Sequence, residues 1–372
     1  MAGSSFGTIL RVTTFGESHG AAIGAVLDGF PAGMPLSEAD IQEYLDRRKP
    51  GKSPIATKRA ESDTVEILSG VFEGQTEGSP IAMLIRNQDQ HSGDYRNLQD
   101  CFRPGHADYG YAVKYGIRDY RGGGRSSGRE TAARVAAGAV AEKFLKSLGI
   151  DFLCYVSAIG PVRVHAKPED PDFDRSLILS TPTAMPQAES NEEALRYLSG
   201  CMAEKDSSGG EITLRIHGVP AGIGDPVMNK LDARLAAAMM SIGAVKDVAV
   251  GDGAAVSVAR GSANNDAFLP DCGNGIHTAS NHAGGILGGI SDGNDILIRL
   301  SVKPTPSIAR PQQTVDTEGH PRELVITGRH DPVIVPRAVV VAETMAALVL
   351  LDSMMMNMSS KTEAIRRFYG RV

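Results

Sequence analysis

Cysteine is scarce and scattered in this chain. Cys101, Cys154, Cys201 and Cys272 stand far apart with no CxxC pair. That spacing suggests neither a zinc site nor a disulfide framework and leaves a reduced compartment as the default. A basic region followed by an apolar stretch is missing at the N-terminus, so no signal peptide is expected. Long hydrophobic runs are missing too. The longest candidate, 338–351, is interrupted by Glu343 and bounded by Asp352, which suits a buried helix better than a membrane span. A large charge of one sign is also absent. The formal net charge is −6 and the pI about 5.9, which argues against a general nucleic-acid or membrane-surface binder. A cytoplasmic protein with no nucleic-acid or membrane partner is therefore expected.

Glycine, by contrast, is plentiful. Its 42 residues out of 372 are about 11%, above the usual ~7%, and predict many tight turns and close backbone approaches. The opening Thr8–Phe15 reads as a strand that runs into the turn Gly16-Glu17-Ser18-His19-Gly20, with a second strand at Ile23–Leu27 and a turn at 29–33. Ser37 followed by Asp40 starts a helix over Glu38–Arg48, closed by Pro50-Gly51. Strands are expected over 64–72 and 80–86. Ser127 and Glu130 have capping-box spacing ahead of an alanine-rich helix ending at Gly149, with Val135, Ala139, Val140, Phe144 and Leu148 on one side. Residues 165–192 are acidic and proline-rich and read as a surface insertion, Asp225–Met240 as a helix, 281–293 as a glycine-rich loop and 295–302 as a strand. With no repeat and no compositional break, one α+β domain over 1–372 is expected.

Three groups of residues could carry chemistry. The Ser18–His19 pair sits in a turn between strands, where His19 suits proton transfer near neutral pH or, more plainly, capping of its own backbone. Arg103-Pro104-Gly105-His106-Ala107-Asp108 places a second histidine before a short helix with Asp108 as N-cap. Finally, Arg118, Arg121, Arg125, Arg129 and Arg134 crowd a helix entrance amid Gly122-Gly123-Gly124 and Ser126-Ser127. Like charges there repel unless an anion sits among them, which points to a phosphate or carboxylate ligand. Asn281–Gly289 lacks the spacing of a dinucleotide fingerprint, and Lys303–Ser307 offers an ammonium and two hydroxyls to a phosphate, or is a plain proline-punctuated loop.

Taken together, these segments resemble the chorismate synthase family. Gly16–Gly20 followed by Asp28-Gly29-Phe30-Pro31 looks like its first motif, Gly124–Thr131 like its second, and Arg329-His330-Asp331-Pro332 with Ala342-Glu343-Thr344 like its third. Similarity also runs through 46–51, 66–74, 103–125, 281–293 and 303–308, and so covers nearly the whole chain. The resemblance implies a β-α-β sandwich with a helical core between antiparallel sheets, assembled as a homotetramer. It also implies the 1,4-anti elimination of phosphate from 5-enolpyruvylshikimate 3-phosphate to give chorismate, a carbon–oxygen lyase reaction in the shikimate pathway to aromatic amino acids. The family needs reduced FMN although the reaction has no net redox change. NADPH would act only indirectly, through an external source of reduced flavin, since nothing beyond the core suggests a fused reductase.

By the same resemblance the catalytic set is His19, His106, Asp331 and Ser18. FMN contacts fall on Arg125, Ser126, Ser127, Gly243, Ala244, Gly288, Lys303, Pro304, Thr305, Pro306, Ser307 and Arg329. Substrate contacts fall on Arg48, Ser127, Arg129 and Arg134. No metal is expected. The chain departs from the family at Pro54, where an arginine is common, at Gly243, often asparagine, and at Pro306, often serine. At Pro54 one substrate or nicotinamide contact is either missing or supplied by Lys52, Lys58 or Arg59. Two further readings of the same residues are a flavin- or NADPH-dependent oxidoreductase and a non-catalytic binder of a phosphorylated metabolite.

Overall fold

The computed structural model describes residues 3–49, 62–88, 98–270, 276–326 and 331–370. Arg329, His330, Pro54, Lys52, Lys58, Arg59 and the Pro50-Gly51 stop lie outside them. Two five-stranded antiparallel sheets face each other across a layer of helices. The first runs in the order β1 (Ser5–Phe6), β2 (Arg11–Gly16), β3 (Ala22–Asp28), β7 (Ile81–Arg86), β4 (Val65–Ser69). A small hairpin, β5 (Val71–Phe72) with β6 (Gln75–Thr76), hangs from it. The second runs β11 (Val245–Val250), β16 (Ile296–Val302), β10 (Gly210–His217), β8 (Asp151–Ile159), β9 (Val162–Arg163). Alternation sets the faces: Ile212, Leu214 and Ile216 of β10 turn inward with Phe152, Cys154 and Val156 of β8, while Leu153 and Tyr155 pack with Phe173 on the outer side.

The helical layer is built on α3 (Thr131–Ser147) and α8 (Val335–Asn357), flanked by α1 (Glu38–Arg48) and α6 (Leu231–Met240). α3 is buried on nearly every side, and its alanines let neighbours come close. At Gly138 the approach is closest: a β-carbon there would lie 2.4 Å from the Thr344 carbonyl oxygen of α8. α8 has the length and apolarity of a membrane span, but 83% of its most apolar window is buried inside the protein. Inside that helix Asp352 accepts from the N–H groups of Thr8, Ile9 and Leu10 at 2.8–2.9 Å and pairs with Arg234. The expected strand therefore begins at Arg11 rather than Thr8, because the preceding residues spend their donors on α8.

The remaining elements surround this frame: α2 (Asp108–Tyr115), α4 (Arg175–Ser180), α5 (Ala188–Ala203), α7 (Gly261–Asn264), α9 (Thr362–Phe368), and the hairpins β12/β13 (Phe268–Leu269, His277–Thr278), β14/β15 (Ile286–Leu287, Ile290–Ser291) and β17/β18 (Gln312–Val315, Pro321–Leu324). The 165–192 stretch carries α4 and the start of α5, and buries Ala184 and Met185 in the main core. α1 starts as read, with the Asp40 carboxylate accepting from the Ser37 N–H at 2.8 Å.

Three local expectations are corrected. α3 begins at Thr131, after two short 3₁₀ turns at 124–126 and 128–130; Ser127 accepts from the Arg129 N–H, and Glu130 pairs with Arg134 instead of reaching back. Leu148 is half exposed, at 51%, since α3 has ended before it. α6 starts at Leu231 rather than Asp225, because its first N–H donates to the Gly289 carbonyl of the β14/β15 hairpin and Val227 has a positive φ of 67°.

Candidate active site

Two histidines 87 positions apart meet at one pair of glycines. Gly122 and Gly123 have φ of +74° and +94°, a conformation that favours glycine. A β-carbon on Gly122 would lie 2.4 Å from His19 Cε1, and one on Gly123 would lie 2.9 Å from His106 Cε1. The two bare backbone positions thus let both imidazoles reach the same turn. Ser18 Oγ and His19 Nδ1 share a 3.1 Å hydrogen bond, and both residues are buried. His106 Nδ1 lies 2.8 Å from Asp108. Burial alone would raise the Asp108 carboxyl, but hydrogen bonds from Arg103 and His106 outweigh it and hold it well below the usual carboxylate range. The anion fixes Nδ1 as the donor and leaves Nε2 turned toward Gly123. Asp108 is the first residue of α2 and not its N-cap, which is Ala107; its oxygens serve Arg103 and His106 instead.

From His106 the contacts run on through the Lys303 loop. Lys303 Nζ donates to the Gly105 carbonyl at 2.5 Å, and its N–H to the Ala244 carbonyl at 2.9 Å. Burial, helped by the like charge of Lys246, lowers the Lys303 ammonium from its ordinary value. The Thr305 carbonyl accepts from Ser207 Oγ at 2.7 Å, and the Ser208 N–H donates to the Pro332 carbonyl at 2.8 Å, next to Asp331. Arg337 then donates to Asp331 at 2.5 Å and to the Arg48 carbonyl at 3.1 Å.

Arg48 and Arg129 complete the circuit. Each is at least 95% buried, and each takes one oxygen of Asp63, whose own exposure is 0%. Burial would raise Asp63, yet the two guanidiniums outweigh it and hold its carboxyl below the ordinary range. Arg129 Nε also donates to Asn87 Oδ1 at 2.9 Å; Asn87 Nδ2 donates to the Glu17 and Gly20 carbonyls at 2.9 and 2.8 Å. That closes the path on the turn that carries His19. Asp63, Asn87 and Arg337 are members that the sequence reading missed. Asp63 and Asn87 sit in polar stretches with partners far along the chain, and Arg337 stands in an apolar run that reads as plain helix.

Not every predicted residue faces this circuit in the same way. The arginines of 118–134 do not crowd around one anion, because each has found a separate protein partner. Arg118 donates to the carbonyls of Leu98, Gln99 and Cys101, Arg121 pairs with Asp119, and Arg125 donates to the Gly16 carbonyl and to Thr14. Arg134 pairs with Glu130 and reaches Ser241, next to Gly243 and Ala244. Ser126 Oγ donates to the Gly123 carbonyl, so it braces the glycine pair. Pro304, Pro306 and Ser307 share the Lys303 loop; Pro306 packs 3.3 Å from where a Gly105 β-carbon would stand. Gly288 stands apart. Its hairpin caps the start of α6, while Gly243 and Ala244 follow the end of that 10-residue helix, roughly 15 Å away.

The residues present fit a phosphate-bearing cofactor. Thr305 Oγ1 is buried without a hydrogen-bond partner in the same loop as the Lys303 ammonium, with Lys246 close by. A buried hydroxyl and two neighbouring ammoniums suit an anionic head group. Among the described residues no cluster of side chains could hold a metal ion. A cavity of about 560 Å³ opens on the outer face of the second sheet, lined by Lys167, Arg215, His217, His277 and Asp295 among others, and shares no residue with the circuit.

Comparison with known proteins gives the family. Residues 10–355 match the family profile described as chorismate synthase. The chorismate synthase of Agathobacter rectalis is 52% identical over 372 residues, covering 100% of both chains. That of Methanocella arvoryzae is 53% identical over 355 residues, covering 95% of each. A solved structure titled "Crystal Structure of Chorismate Synthase" superposes with a TM-score of 0.75 at 32% identity, covering 98% of this chain and 97% of that one.

Proposed function

The chain belongs to the chorismate synthase family, and from that premise we propose how its residues carry the elimination of phosphate from 5-enolpyruvylshikimate 3-phosphate. The allylic C–O bond to phosphate breaks, a ring C6 hydrogen is lost, and chorismate leaves with no net oxidation. The observation that carries the reading is the convergence of His19 and His106 on Gly122–Gly123, inside one hydrogen-bonded circuit with Arg48 and Arg129.

Arg48 and Arg129 hold the anionic groups of the substrate, each charge-assisted bond contributing roughly 1.5–3 kcal/mol. His19, with its Nδ1 on Ser18, donates a proton to the departing phosphate. His106, held by Asp108, keeps Nε2 available beside the flavin site. Asp331, oriented by Arg337, assists proton movement. Lys303, Thr305 and the Gly243–Ala244 backbone would hold the FMN phosphate. Reduced FMN, when bound, supplies transient electron density that weakens the allylic C–O bond. We propose a cytoplasmic homotetramer fed with reduced flavin from an external source. Exposed apolar side chains such as Val258 and Phe268, at 87% and 65% exposure, support burial in an assembly. Light scattering on the pure protein tests the subunit count.

The test of the function is an anaerobic assay with photoreduced FMN that follows chorismate absorbance and phosphate release. Product formation without NADPH consumption is expected; NADPH loss matched to product would overturn the reading in favour of an oxidoreductase. Turnover by the pure protein with oxidised FMN and NADPH in the dark would remove the external flavin source. His106→Ala is expected to cut kcat by about 10²–10⁴-fold while keeping substrate affinity, and a wild-type rate would strip His106 of its role.

A further inference from the structure

We infer that Asp63 is a positioning residue for substrate binding: it sets the direction of both Arg48 and Arg129 without itself touching the reacting atoms. The inference rests on the proposed role of those two arginines. Asp63 has no solvent exposure, and its two carboxylate oxygens are divided between the guanidiniums, Oδ2 to Arg48 at 2.6 Å and Oδ1 to Arg129. Its backbone has φ of +49°, a region that non-glycine residues seldom occupy, and its carbonyl accepts from Gln42 of α1 at 3.3 Å. A residue held in that conformation and sealed from water is placed by its surroundings and cannot swing toward a ligand. The same carboxylate ties the end of α1, through Arg48, to the 3₁₀ turn that carries Arg129. From Arg129 the link passes through Asn87 to the Glu17 and Gly20 carbonyls, on either side of His19. One buried anion thereby registers the two substrate-holding cations against the proton donor.

A guanidinium is a planar fork, so its useful N–H groups point where its partner makes them point. Asp63→Asn keeps the shape but offers one acceptor oxygen and turns an N–H₂ group toward the other arginine. Both arginines act on bound substrate before and during reaction, so misdirecting them weakens binding more than it slows the chemical step.

The experiment is isothermal titration of 5-enolpyruvylshikimate 3-phosphate into the FMN-bound protein, paired with the anaerobic assay. For Asp63→Asn the dissociation constant and KM are expected to rise at least tenfold, kcat to change less than threefold and FMN affinity to stay within twofold. A double-mutant cycle of Asp63→Asn with Arg48→Gln should be strongly non-additive in kcat/KM, because the first substitution acts through the second residue. Should Asp63→Asn fail to fold, Asp63→Glu keeps the charge and displaces it by one methylene; a severalfold rise in KM at a wild-type melting temperature is expected there. A lower melting temperature with unchanged substrate affinity, or an additive cycle, would overturn the inference and leave Asp63 as a scaffold residue. An inactive wild type would instead sink the proposed function, so the two failures stay distinct.

Discussion

Arg47 and Arg48 are neighbours at the end of α1, yet they enter two different buried ion clusters. Arg48 joins Asp63 and Arg129; Arg47 makes a two-pronged pair with Glu343 of α8 at 2.7 and 2.6 Å. Beside that pair, Glu142 and Lys146 of α3 lie 2.8 Å apart, and Tyr44 of α1 bonds both at 3.0 and 2.9 Å. The Arg47 cluster is drawn wholly from the three helices α1, α3 and α8. The Arg48 cluster is drawn from a helix end, a loop, a 3₁₀ turn and, through Asn87, the end of a strand. The carboxylates of the Arg47 cluster, Glu142 and Glu343, sit within helices, whereas Asp63, the carboxylate of the Arg48 cluster, sits in a loop between elements. The lesson is that burial and charge do not by themselves mark a site here; the segments that supply the charges do.

The sharpest way to break this contrast is to remove one arginine from each cluster. Arg129→Ala should lower kcat/KM about 10²–10³-fold, if two charge-assisted bonds of ~1.5–3 kcal/mol are partly lost, with a smaller change in denaturation midpoint than a stranded carboxylate would bring, because Arg48 still pairs with Asp63. Arg47→Ala should do the reverse, costing about 3–5 kcal/mol of stability because it strands a buried carboxylate, with near-normal KM in the folded fraction. Urea unfolding and steady-state kinetics on both proteins decide it, and equal losses of activity would erase the distinction.

Acid provides a second test. Burial, reinforced by the nearby Glu343 carboxylate, pushes Glu142 up to about 8 from its ordinary 4.5. The native state therefore binds the proton more tightly than the unfolded chain, so this group's contribution to stability falls as pH rises from about 4.5 toward 8 and levels off above. Asp63 runs the other way. Its carboxyl is held low, so its contribution is present above the ordinary carboxylate range and is lost as pH falls through its lowered folded value. Urea midpoints should drop between pH 6 and pH 8 in the wild type, and Glu142→Gln should flatten that drop. An unchanged slope in the variant would assign the titration elsewhere.

The smallest expected effect sharpens the picture at the edge of the site. Asn87→Ala removes the bridge between Arg129 and the His19 turn and should lower kcat/KM about tenfold, the equivalent of ~1.4 kcal/mol, with FMN affinity intact. Fluorescence titration of the flavin beside the kinetic assay reads both quantities.

Much of this frame was legible in the residues. The strands read at Ile23–Leu27 and 80–86 fall on β3 and β7, and the Ser37–Asp40 pair found the start of α1. The two histidine turns stood out because glycine and proline flank them. What stayed hidden depends on partners distant in the chain. The arginines of 118–134 looked like a single anion trap, but Arg125 and Arg118 cap carbonyls of other segments, which no local pattern announces. Asp63 and Asn87 are lone polar residues in polar stretches, meaningful only once Arg129 is brought beside them. Glu343 was visible as a break in an apolar run, though its partner Arg47 lies 296 residues earlier.

Gly138, where α3 crosses α8 with no room for one more carbon atom, works as the rivet of a pair of tongs. Arg129 stands just ahead of one arm and Arg337 within the first turn of the other. Because the rivet cannot slide, the gap between the jaws is set deep in the protein, roughly two helical turns behind the arginines.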